Sequence, residues 1–207
     1  MEDPEGGRDR GFRHLLRAWV EVLVHPRRFF SNGVGPGDQA PGLTFAVVVA
    51  FAFALGWLLA DPGVLSDPDA LPPIADSDLL TAVVVLLAVV TLAAPVGLHL
   101  TAAVATLSLL VACVELRGGF SLRERAGVSE TVQVVAYASA PMALAGPPVA
   151  GLRVVCAGYA TVLLLVGLHT VHRTTLLRTL VAGVPPAVVG YWVAYRNVGA
   201  VRTLLGG

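Results

Sequence analysis

Residues 79–114 run for thirty-six positions without a formal charge, and this stretch constrains the fold more than any other. A straight helix of that length would reach about 54 Å at 1.5 Å per residue, well past the roughly 30 Å of hydrocarbon in a bilayer. Pro95 and Gly97 sit in its middle. The run is either two spans joined at residues 94–97, or one span preceded by a tilted or partly inserted segment. A second uncharged run, LTFAVVVAFAFALGWLLA at residues 43–60, has eighteen residues, near the lower limit for one crossing. With 56% hydrophobic and only 14% charged residues, the chain belongs to the membrane class rather than that of soluble domains.

Charge placement chooses between the two schemes. The net charge is zero, and all fourteen basic residues are arginine. Loops on the cytoplasmic side carry the arginine excess of a membrane protein. One crossing within residues 79–114 puts eleven arginines inside and leaves Arg153, Arg196 and Arg202 outside; two crossings give nine against five. The sequence therefore predicts one crossing, mainly residues 95–115, with residues 79–94 as a shallow helix leading into it. The resulting fold class is an all-α, polytopic helical membrane bundle of about five transmembrane helices, preceded by an amphipathic N-terminal helix. It sits in the cell membrane with the N-terminus cytoplasmic and the C-terminus outside. The last three spans fall near residues 130–145, 152–170 and 180–195. Ser129 caps the third span and Pro141 kinks it, Arg153 snorkels from the fourth, and Pro185–Pro186 break the fifth. Tyr191, Trp192 and Tyr195 close the fifth as an aromatic belt at the outer surface.

Three parts follow: a cytoplasmic segment 1–42, a transmembrane domain 43–195 and a short, mostly polar tail 196–207. Residues 1–10 are predicted to be a disordered start. The first forty residues hold six arginines and no long apolar core, so no signal peptide is expected. From Gly11, the residues Phe12, Leu15, Leu16, Trp19 and Leu23 recur at helical spacing, and Arg10, Arg13, His14, Arg17 and Glu21 cover the opposite face. Pro26 ends this helix, and Arg27, Arg28, Phe29 and Phe30 follow. Arg13, Arg17, Trp19, Arg27, Arg28, Phe29 and Phe30 form a candidate lipid interface, with aromatics at the headgroup boundary and arginines toward anionic lipid. The alternative is an amphipathic helix docked on protein. Trp and Leu interrupt the basic face, which argues against a nucleic-acid arm. The linker NGVGPGDQAPG joins this helix to the first span.

The third span carries the candidate site. Glu130, Gln133, Tyr137 and Pro141 share one face at spacings i, i+3, i+7 and i+11. A polar face on a membrane helix looks toward other helices or toward a pathway. Glu130 stands at the helix start, where the dipole and water stabilise it. Gln133 and Tyr137 suit interhelical hydrogen bonds. Small residues at Ala136 and Ala140, Ser139 and Ala143, and Gly190 and Ala194 are spaced for close helix contact.

No metal or cofactor is expected. His99 and His169 fall about 20 Å apart in depth at 1.5 Å per residue, and Cys113 and Cys156 are separated likewise, so neither a histidine pair nor a disulfide forms. Asp67 and Asp69 lie in an acidic, proline-rich loop that lacks the glycine and terminal glutamate of a calcium loop. There is no Ser-His-Asp set, no HExxH and no phosphate-binding glycine loop.

Several motifs together point to a family. Tyr137-Ala-Ser-Ala-Pro141 lies in a span entered from a charged loop, and a glycine-containing turn follows it. The next span closes on Gly167-Leu168-His169 and His172. Upstream stand Trp19, His25-Pro26, Phe29-Phe30 and then Leu43-Thr44-Phe45. Across residues 12–195 this resembles the Yip (Ypt-interacting protein) domain family in its prokaryotic branch. The resemblance implies a five-span membrane protein with a cytoplasmic N-terminus. Eukaryotic relatives are linked to small GTPases and vesicle traffic. For this chain the resemblance implies a non-catalytic membrane adaptor or organiser. Its expected partners are membrane lipid and a protein partner or a second copy of itself, with no nucleic acid. The alternative is a small transporter or channel subunit that uses the polar face of the third span.

Overall fold

The computed structural model describes residues 12–67, 77–115, 121–122 and 126–206. The expected disordered start and Asp69 lie outside the described residues, as does much of the loop before the third span.

The chain is a helical bundle. An N-terminal pair, α1 (Phe12–Val24) and α2 (Pro26–Asn32), precedes α3 (Ala40–Ala60). A 3-10 turn, Pro62–Ser66, follows α3. Next comes a helix of 35 residues, Asp78–Ala112, made of α4 (Asp78–Ala88), a π turn (Val89–Ala93) and α5 (Ala94–Ala112). A two-residue antiparallel ladder pairs β1 (Val114–Glu115) with β2 (Ser121–Leu122). The third span is α6 (Val128–Ala138) continued by a 3-10 turn, Ala140–Leu144. Then follow α7 (Ala150–His172), α8 (Leu176–Ala187) with a π turn at Val188–Val193, and α9 (Asn197–Leu204).

Among the described residues, 4 helices are long and apolar enough to cross a membrane: Ala40–Ala60, Asp78–Ala112, Ala150–His172 and Leu176–Val193. The α6 segment adds a fifth pass inside them. A Cβ at Gly42, near the start of α3, would lie 3.2 Å from Gln133 Cα, and one at Gly146 would lie 2.9 Å from Gly56 Cα. The segment therefore runs beside α3, in the same direction, for fourteen residues or about 21 Å of helix. It can be short because protein surrounds it: every residue from Thr131 to Met142 is buried.

Three expectations are corrected here. Residues 79–94 are not a separate shallow helix. The helix continues through Pro95 because the π turn before it widens the backbone, which moves the preceding carbonyls away from the proline ring. Pro185 and Pro186 do not break the last span, whose helix continues to Val193 through the second π turn. Pro141 does more than kink the third span: the α-helix ends at Ala138 and resumes as a 3-10 turn. The C-terminal residues form α9, with Asn197 and Ala200 buried against the bundle.

The core runs along α6 and its neighbours and includes Val49, Ala105, Leu109, Val134, Ala138, Leu163, Leu164 and Leu168. Outward faces carry apolar side chains such as Leu80, Val83, Leu87, Val96, Leu107, Val111 and Leu180. This inverted surface is what hydrocarbon solvates.

Candidate functional site

Breaking α6 after Ala138 disturbs the backbone ladder in the centre of the bundle. The Ser139 amide donates to Ala136 O at 3.2 Å rather than to the carbonyl of Val135. Tyr191 Oη takes up the Val135 carbonyl by donating to it at 2.8 Å. Ser139 Oγ adds a bond to Ala136 O at 2.6 Å, and Trp19 Nε1 donates to Ala140 O at 2.8 Å. Backbone polar groups buried at membrane depth need such partners, because lipid offers none. Tyr191 and Trp19 are thus structural donors.

The turn after the break is held by Arg153. Its Nε donates to Ala145 O and Pro147 O at 3.1 Å each, and its Nη2 donates to Gly146 O at 2.7 Å. Its guanidinium lies 5.6 Å from the centre of the Phe53 ring. Arg153 therefore closes a turn instead of snorkelling to the surface.

The four residues of the polar face occupy different surroundings. Glu130 lies in the first turn of α6, half-buried, which fits stabilisation by the helix dipole. The expected cap does not form: Ser129 lies inside the helix, which starts from Gly127. Gln133 is 0% exposed. Its Nε2 donates to Gly35 O at 2.6 Å, and Gly35 N–H donates back to Oε1 at 3.4 Å. Its carboxamide thus clamps the Gly/Pro linker to the third span. Tyr137 is packed edge-on against Phe29, with ring centres 4.8 Å apart, and lies 5.0 Å from the Phe45 ring. Pro141 is buried in the 3-10 turn. The face that could have lined a pathway is filled by α2 and the linker.

The candidate lipid interface divides into two groups. Arg13, Arg17, Arg27 and Arg28 are exposed. Arg28 is 3.9 Å from Glu21, a contact open to solvent. Phe29 and Phe30 are core residues, Phe30 only 1% exposed, and Trp19 is half-buried against the 3-10 turn. Sequence periodicity shows that such residues share a face but not whether lipid or protein covers it. Here protein does. Leu23 O accepts from Tyr159 Oη, which fixes the other end of α1. Sequence reasoning placed Leu16 on the apolar face but passed over Val20 and Val24, which with it form an exposed apolar edge of α1 beside the arginines. Their i, i+4, i+8 spacing was the available signal.

The expected aromatic belt also turns inward. Tyr191 is buried, Trp192 Nε1 donates to Thr161 Oγ1 at 3.2 Å, and Tyr195 meets the Phe53 ring at 4.9 Å. Several residues that carry the family resemblance serve packing. A Cβ at Gly167 would fall 2.6 Å from Val134 and 3.1 Å from Phe30, so glycine lets α2 seat against α7. His172 Nε2 lies 3.2 Å from Thr131 Oγ1. His99 and His169 are exposed, and Cys113 and Cys156 are free and buried. Among the described residues no group of three or more His, Cys, Asp or Glu could hold a metal ion.

Comparison with known families matches the chain to the model of the Yip1 domain over residues 20–196. No curated protein and no solved structure matches the chain. The match begins within α1 and ends just after the last span, so it takes in the five passes and the α2 strap together. The chain is a multi-pass membrane protein that belongs to the Yip1 domain family.

Proposed function

We propose that this protein is a non-catalytic membrane adaptor or organiser, which binds lipid or protein partners rather than passing solutes or transforming them. The observation that carries this reading is the filled face of the third span. Gln133 is committed to Gly35, and Tyr137 to Phe29 and Phe45. A transporter or channel would need those groups to face water along a pathway. The exposed arginines of α1 and α2, beside Leu16, Val20 and Val24, form a basic and apolar edge suited to an anionic membrane surface or an acidic partner. By the arginine count, this edge faces the cytoplasm and the C-terminus lies outside the cell membrane.

Affinity capture of the full chain from native membranes, paired with flux assays in proteoliposomes, tests the reading. A reproducible partner with no flux is the expected result. Solute or ion flux above that of empty vesicles overturns it.

A further inference from the structure

A cavity of about 230 Å³ lies on the opposite side of the third span from the N-terminal strap. It is a lateral cleft between α3, the long α4–α5 helix, α6 and the last span, and it touches neither Gln133 nor Tyr137. Phe53, Val89, Gly97, Leu98 and Gly190 are among its walls. Both π turns contribute to it, Val89–Ala93 on one side and Val188–Val193 on the other. Turns of this kind displace the backbone locally and recur at functional sites.

Three hydroxyls in the walls are already engaged. Thr101 Oγ1 donates to Gly97 O at 2.8 Å, Ser139 Oγ to Ala136 O at 2.6 Å, and Tyr191 Oη to Val135 O at 2.8 Å. The interior therefore suits hydrocarbon. The charged lining residue is Arg196, at one end, exposed, its guanidinium 5.3 Å from the centre of the Trp57 ring. Arg153 stands at the same end but is engaged by three backbone carbonyls, with Asp61 close enough to interact with it. Among the described residues, Arg196 is thus the charge that the cleft itself presents at this end.

The length matches as well. On α3 the lining runs from Ala46 to Trp57, eleven residue steps or about 16 Å of helix, which is about half of a 30 Å hydrocarbon core. From that apolar length and that charge we infer that the cleft holds one acyl chain of an anionic phospholipid, with its phosphate at Arg196. The lipid comes from the leaflet at the Trp57 end. Trp57 stands near the C-terminal end of α3, and tryptophan is a residue suited to the headgroup boundary. The inference deepens the adaptor reading and rests on it, by naming the lipid class and the side chain that selects it.

The test uses the full chain in detergent, offered phosphatidylglycerol and phosphatidylcholine and read by native mass spectrometry. The expected result is one retained phosphatidylglycerol per chain. Arg196→Gln lowers the preference for phosphatidylglycerol about fivefold, the worth of one arginine at a membrane surface. Gly97→Leu abolishes retention, because Gly97 lines the cleft, a Cβ there meets nothing within 4 Å, and the added side chain takes up cleft volume. Gly151→Leu, also open and outside the cleft, retains the lipid as the wild type does. A second measurement needs no cleft-filling variant. Phosphatidylglycerol with brominated chains quenches the intrinsic fluorescence, and Trp57→Phe removes most of that quenching. Equal retention of the two lipids by the wild type, undiminished retention in Gly97→Leu, or quenching unchanged in Trp57→Phe overturns the inference. Flux in proteoliposomes fails the adaptor reading without altering the lipid count, so the two failures are distinguishable.

Discussion

Replacing Gln133 with leucine keeps nearly the volume of the side chain and removes both hydrogen bonds that tie the linker to the third span. The bond from Nε2 to Gly35 O, at 2.6 Å, carries most of the clamp, and the return bond at 3.4 Å adds little. A net hydrogen bond of this kind contributes about 1 kcal/mol, and leaving the Gly35 carbonyl against leucine costs about as much again. The variant should lose about 2 kcal/mol locally, close to a thirtyfold rise in the open population of the linker. The loss stays local because α1 and α2 keep separate anchors: Phe29 and Phe30 in the core, Trp19 on Ala140 and Tyr159 on Leu23. Limited proteolysis within residues 33–39 reads this directly, under conditions where cleavage follows the equilibrium population of the open form. The control is Glu130→Gln, which changes a half-buried residue on the same face with no bond to the linker. A cleavage rate in Gln133→Leu equal to wild type, or matched by Glu130→Gln, refutes the clamp.

Gly146→Ala should destabilise the bundle by about 2 kcal/mol, because the added Cβ would fall 2.6 Å from Phe53 O and 2.9 Å from Gly56 backbone atoms that cannot turn aside. Gly56→Ala, whose Cβ would lie 3.5 Å from Gly146 Cα, should change the melting temperature little, and equal losses in the two variants contradict the packing described. Trp19→Phe keeps an aromatic ring but removes the donor to Ala140 O, and should cost about 1 kcal/mol in thermal unfolding. Arg13→Glu with Arg17→Glu should weaken binding to anionic over zwitterionic liposomes; unchanged binding removes the electrostatic role assigned to α1.

The membrane class, the helical bundle and the family were legible because each rests on a local property summed over many residues. Uncharged runs identify membrane helices, and the short motifs around Tyr137, Gly167 and Trp19 identify the family. What stayed illegible depends on backbone geometry that local pattern does not encode. Pro95 looked like a boundary because a proline opposes an α-helix, yet one π turn lets the helix pass it. Pro141 looked like a kink and marks a change to 3-10 geometry instead. The aromatic residues near residue 191 looked interfacial by position, yet Tyr191 is held inside by the Val135 carbonyl that the break at Ser139 leaves over.

The same reasoning explains why the third span misleads when read alone. A glutamine that is 0% exposed inside a membrane helix must be matched, since an unsatisfied carboxamide in low dielectric costs several kcal/mol. Sequence therefore states that Gln133 has a partner but not which one. A pathway of water and a strand of the chain's own backbone meet the demand equally well on paper. The linker could be read as a spacer, and its glycines as the mark of one. Gly35 nevertheless lies 98 positions away from Gln133 and supplies both a carbonyl and an amide to it. The polar face and the glycine-rich linker are thus two halves of one contact, and the aromatic pair Phe29–Phe30 beside them is the apolar part of the same seat. A Yip1-domain chain with an apolar residue in place of Gln133 should have no such clamp on its linker, and the linker should open while α1 and α2 stay seated through Phe29, Phe30, Trp19 and Leu23.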